Sequence, residues 1–145
     1  MRRLFTCTTA LMLALTGTVL VAQKVATPED LDKTMKKIAP AQTAAAKAIQ
    51  SMAWSDAKAQ ITIVKQALSD TEPFWVAHKK DDAVKMLKDS IAKVAAVEEA
   101  VSASMPDQQA ALAAFKQVGA TCAACHKQYR EQDENQQYRL KAGTI

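Results

Sequence analysis

Residues 115–130 read Phe115-Lys116-Gln117-Val118-Gly119-Ala120-Thr121-Cys122-Ala123-Ala124-Cys125-His126-Lys127-Gln128-Tyr129-Arg130. At the centre is Cys122-Ala123-Ala124-Cys125-His126, and Cys-x-x-Cys-His is the attachment site of a c-type haem. The chemistry needs this spacing. Two thiols add across the two vinyl groups of a porphyrin, and residues three apart share a helix face, so both sulfurs can reach one ring. The adjoining His126 can bring an imidazole nitrogen to the iron as proximal ligand. Three plainer readings compete: a zinc half-site, a redox Cys-x-x-Cys pair, and chance. Zinc needs four N/S ligands, and the one other histidine, His78, leaves the set short. A thioredoxin-like pair follows a strand in a βαβ setting, and no such setting is found. One covalent haem c, on Cys122 and Cys125 with His126 on the iron, is the favoured reading.

Outward from the motif, the chain start supports export. It opens Met1-Arg2-Arg3 and then runs apolar from Leu4 to Ala22, with threonines and Gly17 interspersed. Arginines before a short apolar run read as a secretory signal peptide. A signal anchor competes, but Cys7, the threonines and Gly17 weaken the run as a membrane span. The expected cut follows Ala22, although Leu20 at −3 is larger than usual. Cys7 then leaves with the leader, and the two remaining cysteines both lie in the motif, so the mature chain can build no disulfide framework. Attachment of haem c outside the bacterial cytoplasm agrees with a periplasmic protein. The 145-residue chain divides into a leader at 1–22, one domain at 23–130 and a tail at 131–145. The chain carries 19 Lys+Arg and 15 Asp+Glu, and losing Arg2 and Arg3 leaves 17 against 15, or +2. Such near-neutrality argues against nucleic-acid or membrane-surface binding by the mature chain.

The mature chain is rich in Ala, Lys and Gln and poor in Gly, a helix-forming composition with no alternating strand pattern. Four helical segments are expected. The first opens at Thr27-Pro28-Glu29-Asp30, with Thr27 as N-cap and acids at the positive end. Leu31, Met35, Ile38, Ala45, Ile49 and Met52 form its stripe; Pro40 should kink or divide it, and it should end near Met52 or Ala53. The second is capped by Ser55, carries Ile61, Val64 and Leu68, and should end near Ser69-Asp70. Pro73 then makes a break, and Phe74 and Trp75 fold back onto the bundle. The third starts near Asp81-Asp82, buries Val84, Leu87, Ile91, Val94 and Val97–Val101, and stops near Ser104-Met105. The fourth takes Pro106 as its first residue, with Leu112, Phe115, Val118, Cys122 and Cys125 on the haem-receiving face. After Arg130 the tail is polar and should fray, with Tyr138-Arg139-Leu140 able to dock again. Short connections give an all-α, antiparallel up-down-up-down four-helix bundle. The first and last helices then run antiparallel, and a haem on the last meets the first near Met35, to about a helical turn.

Phe115 to Arg130 resembles the C-terminal motif of the cytochrome c′ family, the class II cytochromes c. That pattern is similar to Phe-x-x-Val/Ile-Gly-x-x-Cys-x-x-Cys-His-x-x-Tyr/Phe-Arg. The match is specific over these sixteen residues and weak elsewhere, though the helix order and length agree over roughly residues 27–130. The resemblance implies thioethers at Cys122 and Cys125, His126 on the iron, and Arg130 near the haem edge. Gly119 costs about 1 kcal/mol mid-helix relative to Ala, and a close approach of the haem or of the first helix would explain it. A simple helix irregularity is the other explanation. In that family one residue of the first helix faces the sixth iron position. Met35-Lys36 resembles the Met-Lys pair of low-spin members; an alternative register brings Ala39, beside Ile38, to that position. Met52, Met86 and Met105 are weaker candidates. Where many members carry an Arg-Gln pair near the propionates, this chain has Lys33, Lys36 and Lys37, more simply read as a solvated face. The tail is longer than the family pattern.

These features imply a periplasmic one-electron carrier with redox protein partners, cycling between Fe(III) and Fe(II), with His126 and Met35 as axial ligands. The alternative is a five-coordinate cytochrome c′ that binds nitric oxide or carbon monoxide. A third reading is a haem domain fixed within a larger complex. Family members are often dimers through the first two helices. Paired carboxylates, a Ser-His-Asp pattern and a glycine-rich phosphate loop are all missing from the sequence, and no enzymatic activity is expected. His78 reads as a solvent loop residue.

Overall fold

The Thr27 hydroxyl accepts a hydrogen bond from the Asp30 amide (3.1 Å), and the Asp30 carboxylate accepts one from the Thr27 amide (3.3 Å). This capping box satisfies donors that a helix start leaves open. With Pro28 in the first turn it starts α1, Pro28–Gln50. The remaining helices are α2, Trp54–Ala77, α3, Asp81–Ser102, and α4, Gln108–Tyr129. The computed structural model describes residues 25–145; the leader read at 1–22, with Cys7 and the cut after Ala22, lies outside the described residues. The helices pack in chain order, α1 on α2, α2 on α3 and α3 on α4, as an antiparallel four-helix bundle. Among the described residues, no helix is long and apolar enough to cross a membrane.

Buried residues step along each helix by alternating threes and fours. On α1 the row is Leu31, Thr34, Ile38, Ala41, Ala45 and Ala48, and on α2 Ala57, Ile61, Val64, Leu68, Thr71 and Trp75, with Ile49, Ala67 and Phe74 buried beside it. On α3 they are Ala83, Leu87, Ser90, Val94, Val97 and Val101. This is the seam of a bundle with coiled-coil-like packing. On α4 the same stepping runs through Ala111, Phe115, Val118, Cys122, Cys125 and Tyr129. Only Ala111, Val118 and Tyr129 of that row are buried. Both cysteines are therefore inward-facing seam positions that the other helices leave half covered.

Several helix ends differ from those read in the sequence. α1 is one continuous helix through Pro40, and α2 continues through Pro73 to Ala77 instead of stopping near Asp70. Both prolines face solvent, where water can take the carbonyl each one frees. A proline inside a helix costs about 3 kcal/mol. Continuing α2 buries Phe74 (0 % exposed) and Trp75 (3 %) on the seam. Phe alone returns about 1.5–3 kcal/mol, and Trp covers a larger area, so packing outweighs the proline. As expected, Phe74 and Trp75 lie on the bundle, but from within the helix.

α1 and α2 both end in Schellman motifs. Ala53 N–H reaches Ala48 C=O (2.8 Å) and Met52 N–H reaches Ile49 C=O (3.1 Å); Lys80 and Lys79 repeat this on Trp75 and Val76 (both 3.0 Å). Their left-handed residues are Met52 (φ 57°) and Lys79 (φ 55°), not glycine. The resulting turns are tight, which makes consecutive helices antiparallel neighbours. α2 begins at Trp54, so Ser55 is inside it and caps nothing. α4 is capped by Asp107, whose side chain accepts from the Ala110 amide (2.7 Å), so Pro106 precedes the helix. Gln108 then donates to the Gln50 carbonyl (2.7 Å), tying the start of α4 to the end of α1.

The tail does not fray. β1, Arg130–Gln132, pairs antiparallel with β2, Tyr138–Leu140, and Asp133 organises the turn by accepting from the Asn135 and Gln137 amides (both 2.9 Å). Lys141 N–H closes the hairpin onto the Tyr129 carbonyl at the end of α4 (2.9 Å).

Phe74→Ala is expected to destabilise the bundle by about 3–5 kcal/mol, the range for a fully buried aromatic. Urea unfolding followed by far-ultraviolet circular dichroism measures it; a loss below about 1 kcal/mol would mean that α2 ends at Pro73 after all.

Candidate cofactor site

Of the helix pairs that neighbour one another in the bundle, α1 and α4 touch most sparsely. The space between them, closed by the C-terminal hairpin, is a cavity of about 560 Å³, within the range of small-molecule and cofactor sites. Its walls are Leu31, Met35, Ile38, Ala39 and Gln42 of α1 and Cys122, Cys125, His126 and Tyr129 of α4. Leu68, Trp75, Leu87 and Ser90 of the two middle helices form its floor, and Tyr138 and Leu140 of the hairpin also line it. A second, more open groove shares Gln42, Cys122, His126, Arg130 and Tyr138 and runs past Gly119.

Two contacts set the register of α1 against α4. Gln42 Nε2 lies 3.8 Å from Cys122 Sγ, and Gln108 Nε2 lies 2.7 Å from the Gln50 carbonyl. Four residues up α4 from Cys122 is His126; four back from Gln42 is Ile38. Eighteen residues up α4 from Gln108 is again His126; eighteen back from Gln50 is Asp32. Met35 falls between those two bounds and lines the α1 wall of the cavity. Met35 is half-buried, whereas Ala39, of the alternative register, is exposed at the cavity rim.

Both thiols are free and half-buried. Burial raises the pKa of Cys122, against a smaller lowering by the Gln42 amide; Cys125 is pushed up to about 11 by burial, then by Cys122 and Asp82. Both are thus held as thiols near neutral pH. For His126, burial and then the nearby Arg130 charge lower the pKa, which keeps the imidazole neutral, the form that binds metal. Tyr129 stacks on Trp75 with ring centroids 5.1 Å apart. Burial, followed by the Asp82 carboxylate its hydroxyl meets, pushes the Tyr129 phenol up to about 12. Gln128 also donates to Asp82 (2.7 Å), so the end of α4 is pinned to the start of α3. These contacts hold the helical turn that carries Cys125 and His126.

The residues fit a flat, apolar, covalently tethered group. Two seam thiols stand one turn apart on one wall, with a neutral imidazole beside them and apolar side chains opposite. They do not fit a tetrahedral zinc site, because among the described residues no group of three or more His, Cys, Asp and Glu side chains converges on one point. No protein-family model, curated protein or solved structure matches the chain.

Some expectations shift. Phe115 is half-buried against the core and lines neither cavity. It shares the seam with Cys122 but lies about 10 Å further down α4. At Gly119 a Cβ would meet nothing within 4 Å, so α1 does not approach the backbone there. Arg130 lines both cavities, but its guanidinium stacks 3.9 Å over the Tyr138 ring and is no simple solvated charge. Lys33 pairs with Glu29 (2.8 Å) and Lys36 with Asp32 (2.6 Å), and Glu29, Asp32 and Lys36 border the cavity. Met52 and Met105 are exposed and Met86 is half-buried; none of the three lines the cavity. His78 caps α2 and packs on Phe74 (4.6 Å), so it is half-buried. Gln42, Trp75, Tyr138 and Leu140 were not read as site residues. Of these, Trp75 alone carried a signal, the seam spacing from Leu68 and Thr71.

Gly119→Ala is expected to raise the stability of the bundle by about 1 kcal/mol, since alanine gains helix propensity and the side has room. Thermal unfolding of the chain without an attached group tests this; a lowered midpoint would show a neighbour pressing on that backbone.

Proposed function

We propose that the protein is a periplasmic c-type cytochrome of the cytochrome c′ kind, carrying one haem c and transferring single electrons to and from redox protein partners. One observation carries the reading: the two thiols and the imidazole of a haem-attachment motif line one apolar cavity, with Met35 in the wall across from them. Cys122 and Cys125 would hold the group through thioethers, His126 and Met35 would ligate its iron, and Trp75 and Tyr129 would form an aromatic wall that keeps water from it. When bound, haem supplies an iron that alternates between Fe(III) and Fe(II), at a potential that a methionine ligand raises.

The protein's own contribution is rigidity and a low-dielectric setting. The Asp82–Gln128–Tyr129 contacts and the Trp75 stack hold the His126 turn still while charge on the group changes. Burial keeps His126 neutral and ready to coordinate. Export through the leader fits this chemistry, because haem c is attached outside the cytoplasm.

A second reading, a sixth position open to nitric oxide or carbon monoxide, draws on Ile38 and Ala39, which line the same wall as Met35 and offer no ligand atom. Absorption spectra of the mature, haem-loaded protein, with and without carbon monoxide, separate the two. The expected result is a low-spin spectrum with a sulfur-to-iron charge-transfer band, indifferent to carbon monoxide, that Met35→Leu converts to high-spin. A wild-type spectrum that shifts with carbon monoxide, unchanged in Met35→Leu, would assign gas binding instead. Failure to take up haem in cells that mature c-type cytochromes would overturn both.

A further inference from the structure

The four helices leave one side of the cavity to the C-terminal hairpin, and the residues of that hairpin are sorted by face. Arg130 opposes Leu140 and Gln132 opposes Tyr138 in the ladder. Directly opposed residues share a face of a two-stranded sheet, and alternate residues along a strand share it too. Tyr138 and Leu140 therefore lie on one side with Arg130, and all three line the cavity. Glu131 and Arg139 lie on the other side and form an ion pair (3.1 Å). Tyr138 and Leu140 give the cavity side its apolar surface, while Arg139 also borders the cavity and Glu131 the groove beside it.

Strands of three residues are marginal as an isolated hairpin. This one is anchored at its base: the Lys141 amide bonds to the Tyr129 carbonyl (2.9 Å), and the Lys141 ammonium bonds to the Lys127 carbonyl (2.7 Å). Thr144 beyond it is buried. The Arg130 guanidinium lies over the Tyr138 ring (3.9 Å) and fixes the tyrosine at the mouth, where Tyr138 borders both the cavity and the groove beside it. Tyr138 is still 52 % exposed and Leu140 is half-buried, so both have apolar surface to place against an occupant.

We propose that the hairpin is a built wall of the cofactor site: Tyr138 and Leu140 pack on the group tethered at Cys122 and Cys125 and restrict which external molecules reach it. This rests on the tethered haem read above. It makes residues 130–141 part of the binding site and Tyr138 the residue that limits access at the mouth. Arg130 positions Tyr138 through the stack.

The test compares the wild type, Tyr138→Phe and the double variant Tyr138→Ala, Leu140→Ala, each as the mature chain. In protein made without haem, the rate at which an aromatic maleimide modifies Cys122 and Cys125 is followed by mass spectrometry. The double variant is expected to react about tenfold faster, as access through an unstable segment follows its opening. Tyr138→Phe, which keeps the ring beneath Arg130, should react like the wild type. The helical signal and unfolding midpoint should be unchanged, which a general loosening of the bundle would not allow. Should the double variant lose helical signal, Tyr138→Ala alone is judged by the same criterion. Equal rates in wild type and double variant overturn the wall. In haem-loaded protein, imidazole should shift the visible spectrum faster in the double variant, and an unchanged rate there overturns the contact with the group. A chain that never takes up haem defeats the cytochrome reading, yet the maleimide rates still report on the wall.

Discussion

The alternation of threes and fours along each helix is the constraint on which the rest of the structure depends. It brings a buried side chain, most often small or branched and apolar, to the bundle axis at every step of α1, α2 and α3. On α4 the same row holds Cys122 and Cys125, whose separation of three is one step of the seam. A haem-attachment motif on this helix therefore cannot point outward; its thiols fall on the inner row. Because α1 and α4 touch so sparsely, the space the seam would otherwise fill becomes a cavity. Site and core are two uses of one periodicity.

Energetically the lower half of the bundle and the cavity end are built differently. The lower half is closed by Ile49, Ile61, Val94 and Val97, all less than 2 % exposed. The ion pairs between α2 and α3, Lys65–Glu98 (2.7 Å) and Lys88–Glu72 (3.2 Å), lie toward the surface and each add no more than about 1 kcal/mol. The cavity end is held by side-chain contacts at the end of α4: Trp75 on Tyr129, Gln128 on Asp82, and Gln42 on Cys122. Such an arrangement spends little apolar surface on itself and leaves that surface for an occupant. It also fixes the turn carrying Cys125 and His126.

The places where the helix boundaries were misread share a cause. Glycine and proline are the usual punctuation of helices, and here neither marks the C-terminal end of α1 or α2. The left-handed residues that stop α1 and α2 are Met52 and Lys79, so no local residue announces the turn. Pro73, which reads as a break, is carried through because Phe74 and Trp75 must reach the core. The hairpin was equally hidden. Three-residue strands have too few positions to show alternation, and the bonds of Lys141 to Tyr129 and Lys127 bridge stretches of chain that no short window covers.

By itself, the sequence determined the helical class, the number of helices and their order, because composition, apolar spacing and short connections are local properties of a chain. It also contained the Cys-x-x-Cys-His motif, since three side chains at fixed spacing on one helix need nothing else to be recognised. Tertiary structure decided which other residues complete the site. Met35, Gln42 and Trp75 reach the cavity through the register of α1 against α4 and the course of α2 past Pro73. Tyr138 and Leu140 reach it through the fold of the tail. Phe115, on the same row as the thiols, is left out because it lies too far down the helix. These are relations between distant parts of the chain, set by how packed surfaces meet, and no local pattern contains them.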